Sequence, residues 1–153
     1  MTLYLRCVLF VAVLMAMVSF GFSQNSDLPQ ERVAAVYGQN IHYFEVGQGP
    51  TVILLHGLGA TKELWLANIG ALAPNYHVYA IDQIGFGQSD KPLIDYKVAT
   101  FTDFLHGFMQ GEKIAKATLV GNSFGGWIAT DFAVQHPEMV DKLVLVDAAG
   151  LVV

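Results

Sequence analysis

Cysteine is almost absent from this sequence: Cys7 is the only one. An intramolecular disulfide and a cysteine-based metal site are therefore excluded. Such a composition suits an oxidising compartment without requiring one. Basic residues are scarce too, with 8 Lys and Arg against 13 Asp and Glu, a net charge of −5 and no Lys/Arg run. Binding to nucleic acid, which depends on neutralising phosphates, has no electrostatic support. Internal repeats and low-complexity linkers are also missing, so the 153 residues should form one domain at most.

What is present begins with an apolar run. After Arg6, Cys7 to Phe22 carries no charge, and the chain turns polar from Ser23 onward. Charged, apolar, polar is the order of a secretory signal peptide, and Gly21 and Ser23 are small residues spaced for cleavage after Ser23. The run of about 16 residues is short for a spanning helix, which needs about 20. Residues 1–23 are thus expected to be a signal peptide and 24–153 the globular part. The expected localisation is periplasmic or extracellular. The alternative is an uncleaved segment anchoring the chain, the one case in which a membrane becomes a partner.

Beyond that run, hydrophobic periodicity alternates between two and 3.6 residues. RVAAVYG and NIHYFEV read as paired strands with Gly38-Gln39-Asn40 as their turn. TVILLH (Thr51 to His56), HVYAID (His77 to Asp82), TLVGN and KLVLVDA read as strands buried on both faces. Between them, Lys62 to Leu72 is helical in spacing, with Leu64, Leu66, Ile69 and Leu72 on one face. Thr100 to Met109 and Phe124 to His136 are the other two helices, the last stopped by Pro137. Strands alternating with helices imply right-handed crossovers and a mainly parallel sheet with helices on both faces, an α/β fold.

The chemistry concentrates at Gly121-Asn122-Ser123-Phe124-Gly125, which satisfies G-x-S-x-G between an apolar strand and a helix. A serine there sits on a sharp turn that lifts its hydroxyl above the sheet edge. Side chains at Gly121 or Gly125 would collide with the approaching helix or strand, and Gly126 lets the helix pack closely. The helix N-terminus also aims N–H groups toward developing negative charge. The plain alternative, a glycine-rich turn with an incidental serine, does not account for the flanking strand and helix.

Together with LLHGLG, AIDQIGFGQSDKP and LVLVDAAG, the segment LVGNSFGG makes residues from Ile41 to Leu151 resemble the α/β-hydrolase family. The resemblance implies Ser123 as nucleophile and an oxyanion hole made by the amides of Leu58 and Phe124. It reads His56 as structural, shaping its loop. Related dehalogenases and epoxide hydrolases carry aspartate at the nucleophile position, so serine points to an acyl-enzyme and carbonyl substrates: esters, lactones or C–C bonds beside a ketone. The wording Asn-Ser-Phe-Gly-Gly is similar to that of meta-cleavage C–C hydrolases, and the esterase class remains the broader expectation.

The family order of nucleophile, acid and histidine places the base late in the chain, and the sequence stops at Val153. His42, His77, His106 and His136 all precede that region or lie on helices and early strands, and read as surface or core residues. Asp147, at the end of the last strand, is where some dehalogenases of the family hold their acid; the competing reading is structural. Asp82 and Asp90 flank the Gly85–Gly87 loop and are expected to shape it. That loop and Gly57-Leu58-Gly59 lack the third glycine or the Lys-Ser/Thr ending of nucleotide-binding motifs, so no cofactor is implied, and no metal either. The expectation is therefore an α/β-hydrolase core cut after the strand that follows the nucleophile helix. Such a chain would act on a small-molecule substrate and lack its catalytic histidine. The alternative from another class is a non-catalytic binding protein on the same scaffold.

Overall fold

The computed structural model describes residues 28–150. The expected signal peptide and its cleavage site after Ser23 lie outside these residues. A six-stranded mixed sheet runs in the order β1-β2-β4-β3-β5-β6. Its strands are β1 (Gln30–Val36), β2 (Gln39–Val46), β3 (Thr51–Leu55), β4 (His77–Ile81), β5 (Ala117–Asn122) and β6 (Val140–Val146). β1 and β2 form an antiparallel hairpin that adds to β4, whereas β4, β3, β5 and β6 are mutually parallel. The hairpin turn is tighter than the sequence suggests. Val36 pairs with Gln39, leaving Tyr37 and Gly38 at φ 51° and 77° as its two central residues. Two positive φ values match the right-handed twist of the flanking strands.

Helices α1 (Leu66–Leu72), α2 (Val98–Gly111) and α3 (Phe124–Gln135) cover the two faces. Alternation along β3 divides the core. Ile53 and Leu55 pack with Phe101, Leu105 and Phe108 of α2 and Ile128 and Phe132 of α3. Val52 and Leu54 face Trp65, Ile69 and Ala73 on the other side. The segment before α1 departs from expectation: Lys62–Trp65 is a 3₁₀ turn, and Leu64 and Leu66 are exposed. Lys62, Trp65 and Ile69 occupy the inward stripe instead, at i, i+3 and i+7. A helical-face reading that counts only apolar residues passes over a lysine in that stripe.

β6 also differs from a strand buried on both faces, because most of it is exposed. It has a neighbour on one side only, β5, and among the described residues nothing pairs with its outer edge.

β3 and β5 are adjacent, yet their following helices lie on opposite faces. Such a switch point opens a crevice at the carboxyl ends of the strands, where α/β sheets bind ligands. Ser123 stands at that point.

Candidate active site

Ser123 links β5 directly to α3 and has φ 49° and ψ −113°, a conformation that side chains rarely adopt. Four backbone bonds hold it there. Its N–H donates to Val146 O at 2.9 Å, and its carbonyl accepts from Gly126 N at 3.0 Å, Trp127 N at 3.3 Å and Ala149 N at 2.9 Å. Asn122 Nδ2 donates to Val146 O as well, at 3.2 Å. The end of β6 and the residues after it thus clamp the turn.

Glycines make the clamp possible. A Cβ on Gly125 would stand 2.6 Å from His56 O and closer still to Leu55 O. One on Gly121 would run into the Gly125 backbone, and one on Gly126 would stand 2.5 Å from Ala148 Cβ. Gly57 lies against the nucleophile turn: its own missing Cβ would meet Asn122 Oδ1 at 3.0 Å and Ser123 Cβ at 3.3 Å. The loop after β3 and the turn after β5 are therefore in contact, and Leu58 is the next residue along that loop. Phe124, as the first residue of α3, has an N–H without an intrahelical acceptor. Gly57, which precedes Leu58, and Ser123, which precedes Phe124, thus meet at the carboxyl ends of β3 and β5.

His56 is fully buried, and both ring nitrogens are engaged. Nδ1 donates to Gly57 O at 2.8 Å, and Nε2 accepts from Gln83 N at 3.1 Å. Burial lowers its pKa, so the ring stays neutral at neutral pH. It braces the loop and has no free nitrogen for a serine.

The other histidines stand apart. His42 lies on β2, three strands from β5, or about 14 Å at ordinary strand spacing. His77 begins β4 at the opposite sheet edge and contacts Glu45 at 2.8 Å. His106 and His136 stack on each other with centroids 4.3 Å apart, one on α2 and one at the end of α3. Among the described residues no histidine hydrogen-bonds Ser123. Asp147 follows β6 at the same edge as Ser123, exposed and at φ 47°. Among the described residues no cluster of three His, Cys, Asp or Glu groups could hold a metal.

Asp82 and Asp90 both accept from main-chain amides, one in the loops around it and one at the start of β2. Asp90 Oδ2 accepts from Asn40 N at 2.7 Å. Asp82 is fully buried and accepts from Lys62 N, Lys62 Nζ and Gln88 N, at 2.7, 2.9 and 2.9 Å. Lys62 is equally buried. Burial works against its charge, but the Asp82 and Glu63 carboxylates outweigh that and raise its pKa. Nothing next to Lys62 in the sequence announces this pair; its place at i, i+3 with Trp65 was the available signal.

A strand-turn-helix serine at a parallel-sheet switch point, packed against a His-Gly loop, narrows the fold family, and the comparison decides it: a sequence profile described as alpha/beta hydrolase fold matches residues 50–151. The chain belongs to the α/β-hydrolase fold family. Within it, the chain is 37% identical over 123 residues to an uncharacterized protein of Mycobacterium tuberculosis, covering 80% of this chain and 36% of the relative. It is 41% identical over 127 residues to a 2-hydroxy-6-oxo-6-(2'-aminophenyl)hexa-2,4-dienoic acid hydrolase of Metapseudomonas resinovorans, covering 80% of this chain and 44% of the relative. Among solved structures, a bacterial membrane phospholipase A described as a virulence factor superposes with a TM-score of 0.81 at 32% identity, covering 99% of this chain and 54% of the other. The chain thus spans less than half the length of these curated hydrolase-fold relatives.

The loop after β4 lies near the start of α3. Gly85, Phe86, Lys91, Pro92, Leu93 and Tyr96 line an open recess of about 400 Å³. Phe86, Phe101 and Phe124 connect it to the start of α3, with ring centroids 6.1 and 5.0 Å apart. Among the described residues no helix is long and apolar enough to cross a membrane.

Proposed function

We propose that this chain carries the nucleophile and oxyanion-binding half of a serine hydrolase that cleaves carboxylic esters or related carbonyl compounds through an acyl-enzyme. The observation that carries the reading is Ser123, held at φ 49° on the strand-to-helix turn with Gly57 packed against it. Ser123 Oγ attacks the carbonyl carbon, and its proton passes to a histidine base outside the described residues. Charge on the former carbonyl oxygen is met by the amides of Leu58 and Phe124, where losing one donor costs about 10²–10³ in kcat. Asp147 is the residue at this edge available to orient the base. The recess beside Phe86 accepts the apolar part of the substrate.

The chain reaches its compartment by export, with cleavage after Ser23, so mass spectrometry of the mature protein should find Gln24 at its N-terminus. A fluorophosphonate probe should label Ser123 of the full-length protein, meaning these residues together with the histidine base, and S123A should abolish both labelling and ester hydrolysis. Ester turnover that survives in S123A ends the proposal.

A second reading is favoured by the 41% identity to the Metapseudomonas hydrolase. Here the same serine acts on a C–C bond beside a ketone. Turnover of a dienoic ring-fission acid exceeding that of simple esters would choose this reading over the first.

A further inference from the structure

The loop that carries Leu58 has little of its own to hold it. Leu58 is flanked by Gly57 and Gly59, the latter at φ 73°, and its side chain is 72% exposed. Packing of Leu58 therefore cannot set the direction of its amide. Inside the loop there is one backbone hydrogen bond, Ala60 N to Gly57 O at 3.2 Å. An oxyanion donor, however, has to be held to within about 0.5 Å and 10–20° to act.

What holds it lies at its two ends, and both anchors come from consecutive residues after β4. At the near end, Gln83 Nε2 donates to His56 O at 2.7 Å and Gln83 N donates to His56 Nε2. At the far end, Asp82 takes both the main-chain and the side-chain nitrogen of Lys62, one on each carboxylate oxygen. Lys62 Nζ donates onward to Gln88 Oε1 at 2.6 Å, and Gln88 N returns to Asp82 Oδ2. Gly87, at φ 52°, leaves room for the carboxylate, since a Cβ there would run into Asp82.

A buried ion pair is weak evidence for stability, because well-packed apolar residues serve that end equally well. What this pair adds is direction. One carboxylate gripping two donors of one residue fixes the backbone at Lys62 as well as its side chain. Resting on the hydrolase reading above, we propose that Lys62 is a positioning residue: with Asp82 it mounts the far end of the 56–62 loop and so sets the Leu58 amide for the oxyanion.

The test uses full-length protein with K62Q, D82N and K62R, all checked for folding by circular dichroism. The substrates are p-nitrophenyl butyrate and its thiono analogue, whose C=S sulfur is a poor acceptor for an oxyanion hole. K62Q and D82N should lower kcat for the oxygen ester about 10- to 100-fold with KM within about twofold. They should also shrink the preference for oxygen over sulfur ester about tenfold. K62R, which keeps the charge, should recover most of both. A fall in rate that leaves the oxygen-to-sulfur preference unchanged, or no rescue by K62R, overturns the proposal.

Amide hydrogen exchange supplies a readout that needs no turnover. In K62Q the 56–61 segment should exchange at least about tenfold faster while β5 amides hold their rate. Equal exchange in K62Q and wild type also overturns the mount. Wild-type protein without Ser123-dependent turnover would instead defeat the hydrolase reading, and the exchange result separates that failure from this one.

Discussion

Replacing Ser123 with glycine should make the protein more stable than replacing it with alanine. Both substitutions remove the hydroxyl, and as the residue preceding α3 its side chain makes no capping hydrogen bond that would be lost. They differ in the backbone. Alanine keeps a Cβ at φ 49° and ψ −113°, whereas glycine adopts that region freely. A side-chain-bearing residue held there costs about 1–3 kcal/mol. Against this, glycine gives the unfolded chain extra freedom worth about 0.4–1 kcal/mol. The strain is the larger effect, so S123G should exceed S123A by about 1–2 kcal/mol. At unchanged m in urea this appears as a higher midpoint, and on heating as a Tm higher by about 2–8 °C for a domain of this size. Without strain the order reverses, because only the unfolded-state term remains. S123G melting at or below S123A would therefore refute the view that the turn stores strain.

Three further outcomes follow from other parts of the structure. Gly125→Ala should destabilise by about 1–3 kcal/mol or more in urea unfolding, since its Cβ meets the Leu55 and His56 carbonyls, which are backbone and cannot swing aside; a loss below about 0.5 kcal/mol would count against that packing. His56 has a depressed pKa in the fold, so the unfolded chain binds its proton first as pH falls below 6.5. Its share of stability is thus full above that pH and declines below it, by up to about 1.4 kcal/mol per pH unit until the folded ring protonates. Urea midpoints at pH 5 and 7 should show a smaller difference in His56→Asn than in wild type, and equal differences would contradict the neutral buried ring. Finally, Val144→Lys, on the exposed strand β6, should reduce light scattering by the 153-residue chain without changing its circular dichroism; unchanged scattering would show that this strand does not drive association.

Much of this architecture is legible in the pattern of residues. TVILL, HVYAI and ATLVGN are short, apolar and bounded by polar or turn residues, so period and length place them as central strands. The elbow is legible because its glycines are demanded by backbone contacts that only a strand-turn-helix creates. Lys62 is where local reading fails. Its burial depends on Asp82 and Gln88, which reach it only after the crossover from β3 to β4. Propensity carries no record of a charge satisfied from a distant loop, and the same holds for His56, whose partner is Gln83. The exposure of β6 is illegible for a different reason: an apolar strand reads as buried whether or not anything covers it.

The strand order carries a consequence for the timing of folding. Leu55 pairs with Gly121, although β4 and α2 lie between them in the chain. β4 forms on one side of β3, and only the return crossover brings β5 to the other. Ser123 therefore meets Gly57 through one of the most non-local pairings in the domain, the kind whose loop-closure entropy makes it intrinsically slow to form. The strained turn and the loop it touches exist as a pair only once that long-range pairing is made.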